Sequence, residues 1–240
     1  WYNYETGEFE IEPYGPAVST NGVSVIFGDS VTNIEAYAFS NTVGPTNIVF
    51  GSGTVIINSG FSDCVGLTSV AFGSGMVNVN GYDGFDNCDA LTDIAFGSGT
   101  VIINGGFQNC DGLTNLVFGS GAVSINNSGF DNCDGLVNIV FGSGTVNING
   151  GFYDCDGLTD LIFGDGAVAI GDGAFYGCDG LTDIVFGAGL TDIGSGAFSY
   201  CAGLTNLSVA AENPVCRDIG GVLYSKDGAT LLTFPAGRGG

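Results

Sequence analysis

Eight cysteines and twenty-five acidic residues carry nearly all the reactive chemistry in this sequence, which contains no histidine. Seven of the cysteines, Cys64, Cys88, Cys110, Cys133, Cys155, Cys178 and Cys201, recur every 22 to 24 residues. Metal-binding and redox pairs are spaced far more tightly, as in C-x-x-C. Each of these cysteines would have two equivalent neighbours, which favours a column of small buried thiols over specific disulfides. Cys216 stands outside that register, and a bond to Cys201 stays open. Asp89, Asp111, Asp134, Asp156 and Asp179 each follow a column cysteine, with Asp63, Asp86, Asp131 and Asp154 nearby. Stacked carboxylates could gather Ca²⁺, which takes six to eight oxygens. Four of the five are followed by Gly, the usual turn pair, so the turn reading is favoured and no metal site is assigned. Paired carboxylates can also cleave glycosidic bonds. Here the acids repeat evenly, and no repeat breaks the pattern with a basic residue beside an acid. Catalysis is therefore not expected, and no cofactor is implied.

The elements that must position these columns come from one repeated unit. Gly157 to Asp179 reads GLTDLIFGDGAVAIGDGAFYGCD, and the chain repeats it from about Val23 to Val209. One aromatic column precedes Gly: Phe27, Phe50, Phe72, Phe96, Phe118, Phe141, Phe163 and Phe186. A second follows Gly or Ala: Phe39, Phe61, Phe85, Phe107, Phe130, Phe152, Phe175 and Phe198. A unit copied at this period is a solenoid coil. From each second-column Phe to the next inward Ile or Val is always 18 residues, as in Phe152 to Ile170. The remaining step varies between four and six, as in Ile57–Phe61 and Val79–Phe85. Length variation thus sits in one Gly/Asn/Ser-rich corner, which must face solvent.

Each unit carries one good strand, such as Leu158–Phe163, with Leu158, Leu161 and Phe163 inward. A second, shorter extended piece follows, such as Val168–Ile170, and at most a single helical turn near Ala174–Cys178. The recurring glycines read as turn formers. Residues 1–12 alternate around Thr6-Gly7 and suggest a hairpin. Gly221–Pro235 carries a second hairpin signal at Asp227-Gly228. The sequence therefore predicts a single right-handed β-rich solenoid of 22–24-residue coils with a parallel strand sheet on one face. It predicts hairpin caps at both ends and little or no helix. The divisions are an N-terminal cap over 1–18, the solenoid over 19–209 and a C-terminal cap over 210–240.

The net charge of −22, with only Arg217, Lys226 and Arg238 cationic, argues against nucleic acid and anionic membranes. No apolar run approaches the roughly 18 residues of a membrane span, so membrane insertion is not expected. No signal peptide is present and the chain starts at Trp1, as expected of a piece of a longer protein. A monomer is expected.

The unit L-x-x-I-x-F…V-x-x-I-G-x-x-A-F-x-x-C resembles the BspA-type (Treponema-like) leucine-rich repeat of bacterial surface proteins. Leu181–Cys201 matches it best, with Ile193-Gly194 and Ala197-Phe198-Ser199-Tyr200-Cys201 in place. Gly221 to Gly228 resembles the hairpin that often closes such arrays. This chain departs by carrying Gly where the family carries Pro, as at Gly51, Gly73 and Gly164, and by its scarcity of Lys and Arg. The resemblance implies a leucine-rich-repeat array that is secreted or on a bacterial cell surface. It further implies adhesion to a host or matrix protein or glycan, and brings no catalytic residues. The competing reading is a passive spacer within a larger surface protein.

One face is the candidate for binding. With Leu158, Leu161 and Phe163 inside, an Asn/Asp row beside an aliphatic row points outward. The expected site is Asn138, Val140, Asp160, Ile162, Asp183 and Val185, where the aliphatic side chains are larger than Ala71 and Ala95. The competing reading is that strand propensity alone selected Val and Ile there.

Overall fold

The computed structural model describes residues 23–238, together with the antiparallel pairing of Tyr2–Asn3 with Glu8–Phe9. The rest of the N-terminal hairpin expected over residues 1–12 lies outside the described residues. The chain forms a parallel β-solenoid with two strand columns, and there is no helix among the described residues. The helical turn considered near Ala174–Cys178 is a run of turns, in which Tyr176 N–H bonds Gly173 O at 3.1 Å.

The first column holds nine strands. Seven form one sheet from Val23–Phe27 to Asp160–Ile162, and Asp183–Phe186 pairs with Asn206–Val209 in a separate two-stranded sheet. The second column is a continuous eight-stranded sheet from Asn33–Ile34 to Leu190–Ile193. Its strands are the shorter partners expected in the first two coils, where Asn33–Ile34 follows Val23–Phe27 and Val55–Asn58 follows Pro45–Phe50, but not in the middle coils. Val101–Asn104 has four residues against three for Asn115–Val117. The register holds one full coil at a time: Val101, Ile102, Ile103 and Asn104 pair with Val123, Ser124, Ile125 and Asn126. It shifts at Val168/Ala169, beside Leu190 and Asp192.

Alternation decides which side chains go inside. Val123 and Ile125 are buried while Ser124 and Asn126 are half-buried. Two Phe columns fill the interior and stack nearly parallel. Phe61 and Phe85 lie 4.7 Å apart at 6°, and Phe118 and Phe141 lie 5.1 Å apart at 5°. Phe61, Phe85, Phe107, Phe130, Phe152 and Phe175 are fully buried. Each such side chain contributes roughly 1.5–3 kcal/mol before ordering entropy is subtracted. The variable corner faces outward, as its lengths require; Tyr82, in the six-residue version, is exposed.

Gly105, Gly106, Gly150 and Gly151 in the variable corner have positive φ, as expected of turn formers, but the glycines after the first Phe column have a different cause. Gly73, Gly97, Gly119 and Gly142 are not in the left-handed region. A Cβ on Gly119 would instead overlap the carbonyl oxygen of Gly97 in the preceding coil. Stacking at coil spacing, rather than turn geometry, removes the side chain here, and it also removes room for a proline ring.

The C-terminal cap has three antiparallel strands, Cys216–Ile219, Val222–Ser225 and Leu231–Thr233, one more than the hairpin expected. The Asp227-Gly228 turn is present: Gly228 has φ 76, and Asp227 Oδ1 accepts the Ala229 N–H at 2.9 Å. Asn213, fully buried, fastens the cap to the solenoid. Its Nδ2 donates to Leu190 O at 2.8 Å, and its Oδ1 accepts the Val215 and Cys216 N–H groups. No described helix is long and apolar enough to cross a membrane.

Candidate functional site

All six residues of the expected site lie on the outward face of the first strand column. Asn138 pairs laterally with Asp160, and Val140 with Ile162. Asp183 and Val185 sit on the next strand, Asp183–Phe186, which begins the separate two-stranded sheet. The patch therefore straddles the break between two sheets. Asn138 Nδ2 donates to Asn115 Oδ1 at 2.8 Å, and the Thr159 hydroxyl donates to Asp160 Oδ2 at 2.8 Å. Ile162 is 53% and Val185 67% exposed, while Val140 is half-buried. Beside them runs a row of amide and carboxylate oxygens. Such a face can desolvate an apolar group and orient a polar one.

The cysteine column is a ladder of thiols. All eight cysteines are free and buried, so Cys201 and Cys216 are not bonded to each other. Each column thiol donates to the carbonyl of a Phe in the preceding coil, as from Cys133 Sγ to Phe107 O at 3.0 Å and from Cys178 Sγ to Phe152 O at 3.0 Å. Burial pushes the Cys133 thiol well above its ordinary range, which keeps it protonated and unreactive.

The acidic column makes turns. In Cys110-Asp111-Gly112-Leu113 the Leu113 N–H bonds Cys110 O at 3.0 Å, and the same bond closes the turn at Leu91 and Leu136. Asp63 and Asp154, with Asn87, Asn109 and Asn132, occupy left-handed backbone, φ 52 to 59. Short polar side chains accept that conformation cheaply. No group of three His, Cys, Asp or Glu among the described residues is arranged to hold a metal. Partial burial, then the neighbouring carboxylates, raise the pKa values of Asp134 and Asp154.

Three arrangements escaped the sequence reading. An asparagine ladder runs outside the second sheet: Asn104 donates to Asn80, Asn126 to Asn104 and Asn149 to Asn126, at 2.9 to 3.1 Å. Its period is visible in the sequence as the Asn that ends successive second-column strands, at Asn58, Asn80, Asn104, Asn126 and Asn149, but the same residues also fit a polar corner. Tyr153 stacks on Tyr176 at 4.7 Å and 5°, and Tyr176 on Tyr200 at 4.7 Å and 40°. Asp86 is buried, with Oδ1 accepting the Gln108 N–H at 2.9 Å; burial raises its pKa to about 7.

A family described as the BspA type leucine rich repeat region matches residues 18–106 and 100–218, in six copies. No curated protein matches the chain. Among solved structures, a leucine rich cell surface protein from Faecalibacterium prausnitzii A2-165 is 21% identical, with a TM-score of 0.52. The match covers 85% of this chain and 50% of that one. The pneumococcal vaccine antigen PcpA is 15% identical over 97% of this chain and 49% of its own, with a TM-score of 0.43. A leucine-rich repeat protein from Bacteroides ovatus ATCC 8483 is 19% identical over 79% and 61%, with a TM-score of 0.38. The chain thus matches about half the length of the first two of these proteins.

Proposed function

The chain belongs to the BspA-type leucine-rich repeat family, and from that membership we propose that it is a non-catalytic, secreted or cell-surface module that binds a protein or glycan. The observation that carries this reading is the exposed face of the first strand column. There an aliphatic row through Val140, Ile162 and Val185 lies beside the polar row Asn138, Asp160 and Asp183. Lateral packing and strand propensity favour aliphatic side chains in line on such a sheet, and an exposed apolar row next to hydrogen-bonding groups also makes a docking surface. The evenly repeated acids and the lack of histidine support the non-catalytic part. The surface location rests on family membership and on the name of the Faecalibacterium protein. The excess of carboxylates favours a neutral or basic partner, with association slowed by salt.

The test is the triple replacement Val140→Ser, Ile162→Ser, Val185→Ser. These side chains point away from the core, so the melting temperature should shift by only a few degrees. Affinity for a partner found on glycan and matrix-protein arrays should fall roughly tenfold or more. Unchanged affinity removes this face from consideration. Arrays on which the chain captures nothing favour the spacer reading.

A further inference from the structure

A groove separates the last coil from the C-terminal cap. Phe198 and Tyr200 line its solenoid side, and Leu232, Phe234 and Ala236 line its cap side. Tyr200 is 70%, Phe234 55% and Leu232 37% exposed. Elsewhere on the solenoid the exposed aliphatic side chains of the strands stand in a single outward row, whereas here apolar groups face each other across a cleft. Tyr200 also borders a second groove on its other side, lined by Asp134, Asp154, Asp156 and Asp179.

That second groove contains no cation. Lys226 Nζ donates to Ala211 O at 2.9 Å, the Arg238 guanidinium donates to Gly220 O, and Arg217 lies against Gly228. All three cationic side chains are therefore engaged in the cap. The carboxylates beside Tyr200 crowd one another with no cationic partner, although Asp179 Oδ1 accepts the Ala202 N–H at 2.8 Å, on a chain of net charge −22.

We propose that the two grooves form one docking surface, divided by Tyr200, for an extended basic peptide segment carrying an apolar anchor. The anchor enters the cleft between Tyr200 and Phe234, and the basic side chains run over Asp179, Asp156 and Asp134. Successive coils stack about 4.8 Å apart, so these three carboxylates span roughly 10 Å. Alternate side chains of an extended peptide are about 6.8 Å apart, and two or three cations can follow the row. The carboxylates supply charge complementarity, and the cleft supplies apolar area to desolvate. The backbone at Tyr200 is consistent with a retained role. Its φ is 63, and the equivalent places in other coils hold Asn41, Asp63, Asn87, Asn109, Asn132, Asp154 and Gly177, all suited to that conformation. A tyrosine held there costs stability that an asparagine would not.

This surface is separate from the strand face, and its test does not depend on that reading. The probe is a fluorescein-labelled peptide, Trp-Gly-Arg-Arg-Arg-Arg, read by anisotropy at fixed salt. Tyr200→Asn should weaken binding roughly fivefold with the melting temperature within a few degrees of the wild type, because relief of the left-handed backbone and loss of the stack on Tyr176 oppose each other. Combining Asp134→Asn, Asp156→Asn and Asp179→Asn should weaken it roughly tenfold or more. The control Asp165→Asn, Asp192→Asn, Glu212→Gln removes the same charge from exposed positions outside the groove and should change affinity less than about twofold. With Trp replaced by Gly in the probe, the wild type and Tyr200→Asn should bind alike. The Val140, Ile162 and Val185 triple variant should bind the probe as the wild type does. Equal losses in the two charge variants would overturn the proposal in favour of non-specific attraction. Self-association abolished by Tyr200→Asn would overturn it in favour of a second copy of the chain.

Discussion

At the scale of single residues, Asp86 makes the clearest claim. Burial raises its pKa to about 7 despite the Gln108 N–H bond that opposes the shift, and Asp83 and Asp63 face it with further negative charge. Below about pH 4 the carboxyl is protonated in both the folded and the unfolded chain. Between there and about pH 7 the unfolded chain releases a proton that the folded chain keeps. Stability therefore falls as pH rises through that window and levels off above it. Asp131, also raised by burial, adds to the same trend. Asp86→Asn keeps an oxygen to accept the Gln108 N–H and removes the charge. It should raise the unfolding free energy at pH 8 by roughly 2–3 kcal/mol and change it little at pH 4. Urea denaturation of both proteins at the two pH values checks this, and an equal effect at both would refute it. The sequence did not mark Asp86 out. The equivalent place in other coils holds Ser62, Gln108, Asp131, Tyr153, Tyr176 and Ser199, a column too mixed to reveal a side. The thiols were legible because seven identical residues in register fix their own environment, and their pairing with Phe carbonyls follows from it.

At the scale of the coil, the two Phe columns and the alternating strands were readable because inward positions repeat by residue type. The role of the glycines was not, because a glycine demanded by a neighbouring backbone looks the same in sequence as one demanded by its own φ. The distinction is testable within one column. A Cβ on Gly119 would overlap the Gly97 carbonyl, whereas one on Gly187, at the same place in a later coil, would have its nearest neighbours at 4.0 Å. Gly119→Ala should therefore cost about 1–3 kcal/mol, and Gly187→Ala should be neutral or slightly stabilising. Thermal unfolding of the two variants side by side decides it, and equal destabilisation would restore the turn explanation. The candidate face is legible only in part. Its outward orientation follows from alternation, but the break between Asp160–Ile162 and Asp183–Phe186 does not, since Leu181 to Phe186 repeats the consensus as faithfully as its neighbours.

At the scale of the whole molecule, charge and connectivity dominate. Twenty-five acids against three bases leave most carboxylates without a cationic partner. Screening over a Debye length of ~10 Å at 0.1 M should relieve their repulsion. Raising NaCl from 0.1 to 0.5 M should increase the melting temperature by a few degrees. CaCl₂ at the same ionic strength should do no more; a markedly larger gain would mean that the Asp turns bind calcium. The three-stranded cap was half legible: the Asp227-Gly228 turn announced two strands, but the third depends on Asn213, whose burial no local pattern signals. The coil-by-coil register has a mechanical corollary. Each interior strand bonds only to the coils before and after it, and the ends of the stack lie far apart in sequence. Tension along the stack therefore peels the ladder from an end instead of shearing it everywhere at once. Each coil of 22 to 24 residues that opens yields roughly 75–80 Å of slack in exchange for about 5 Å of stacked length. The fold is in that sense a spooled tether, able to lengthen in steps under load while the coils still wound keep their surface intact.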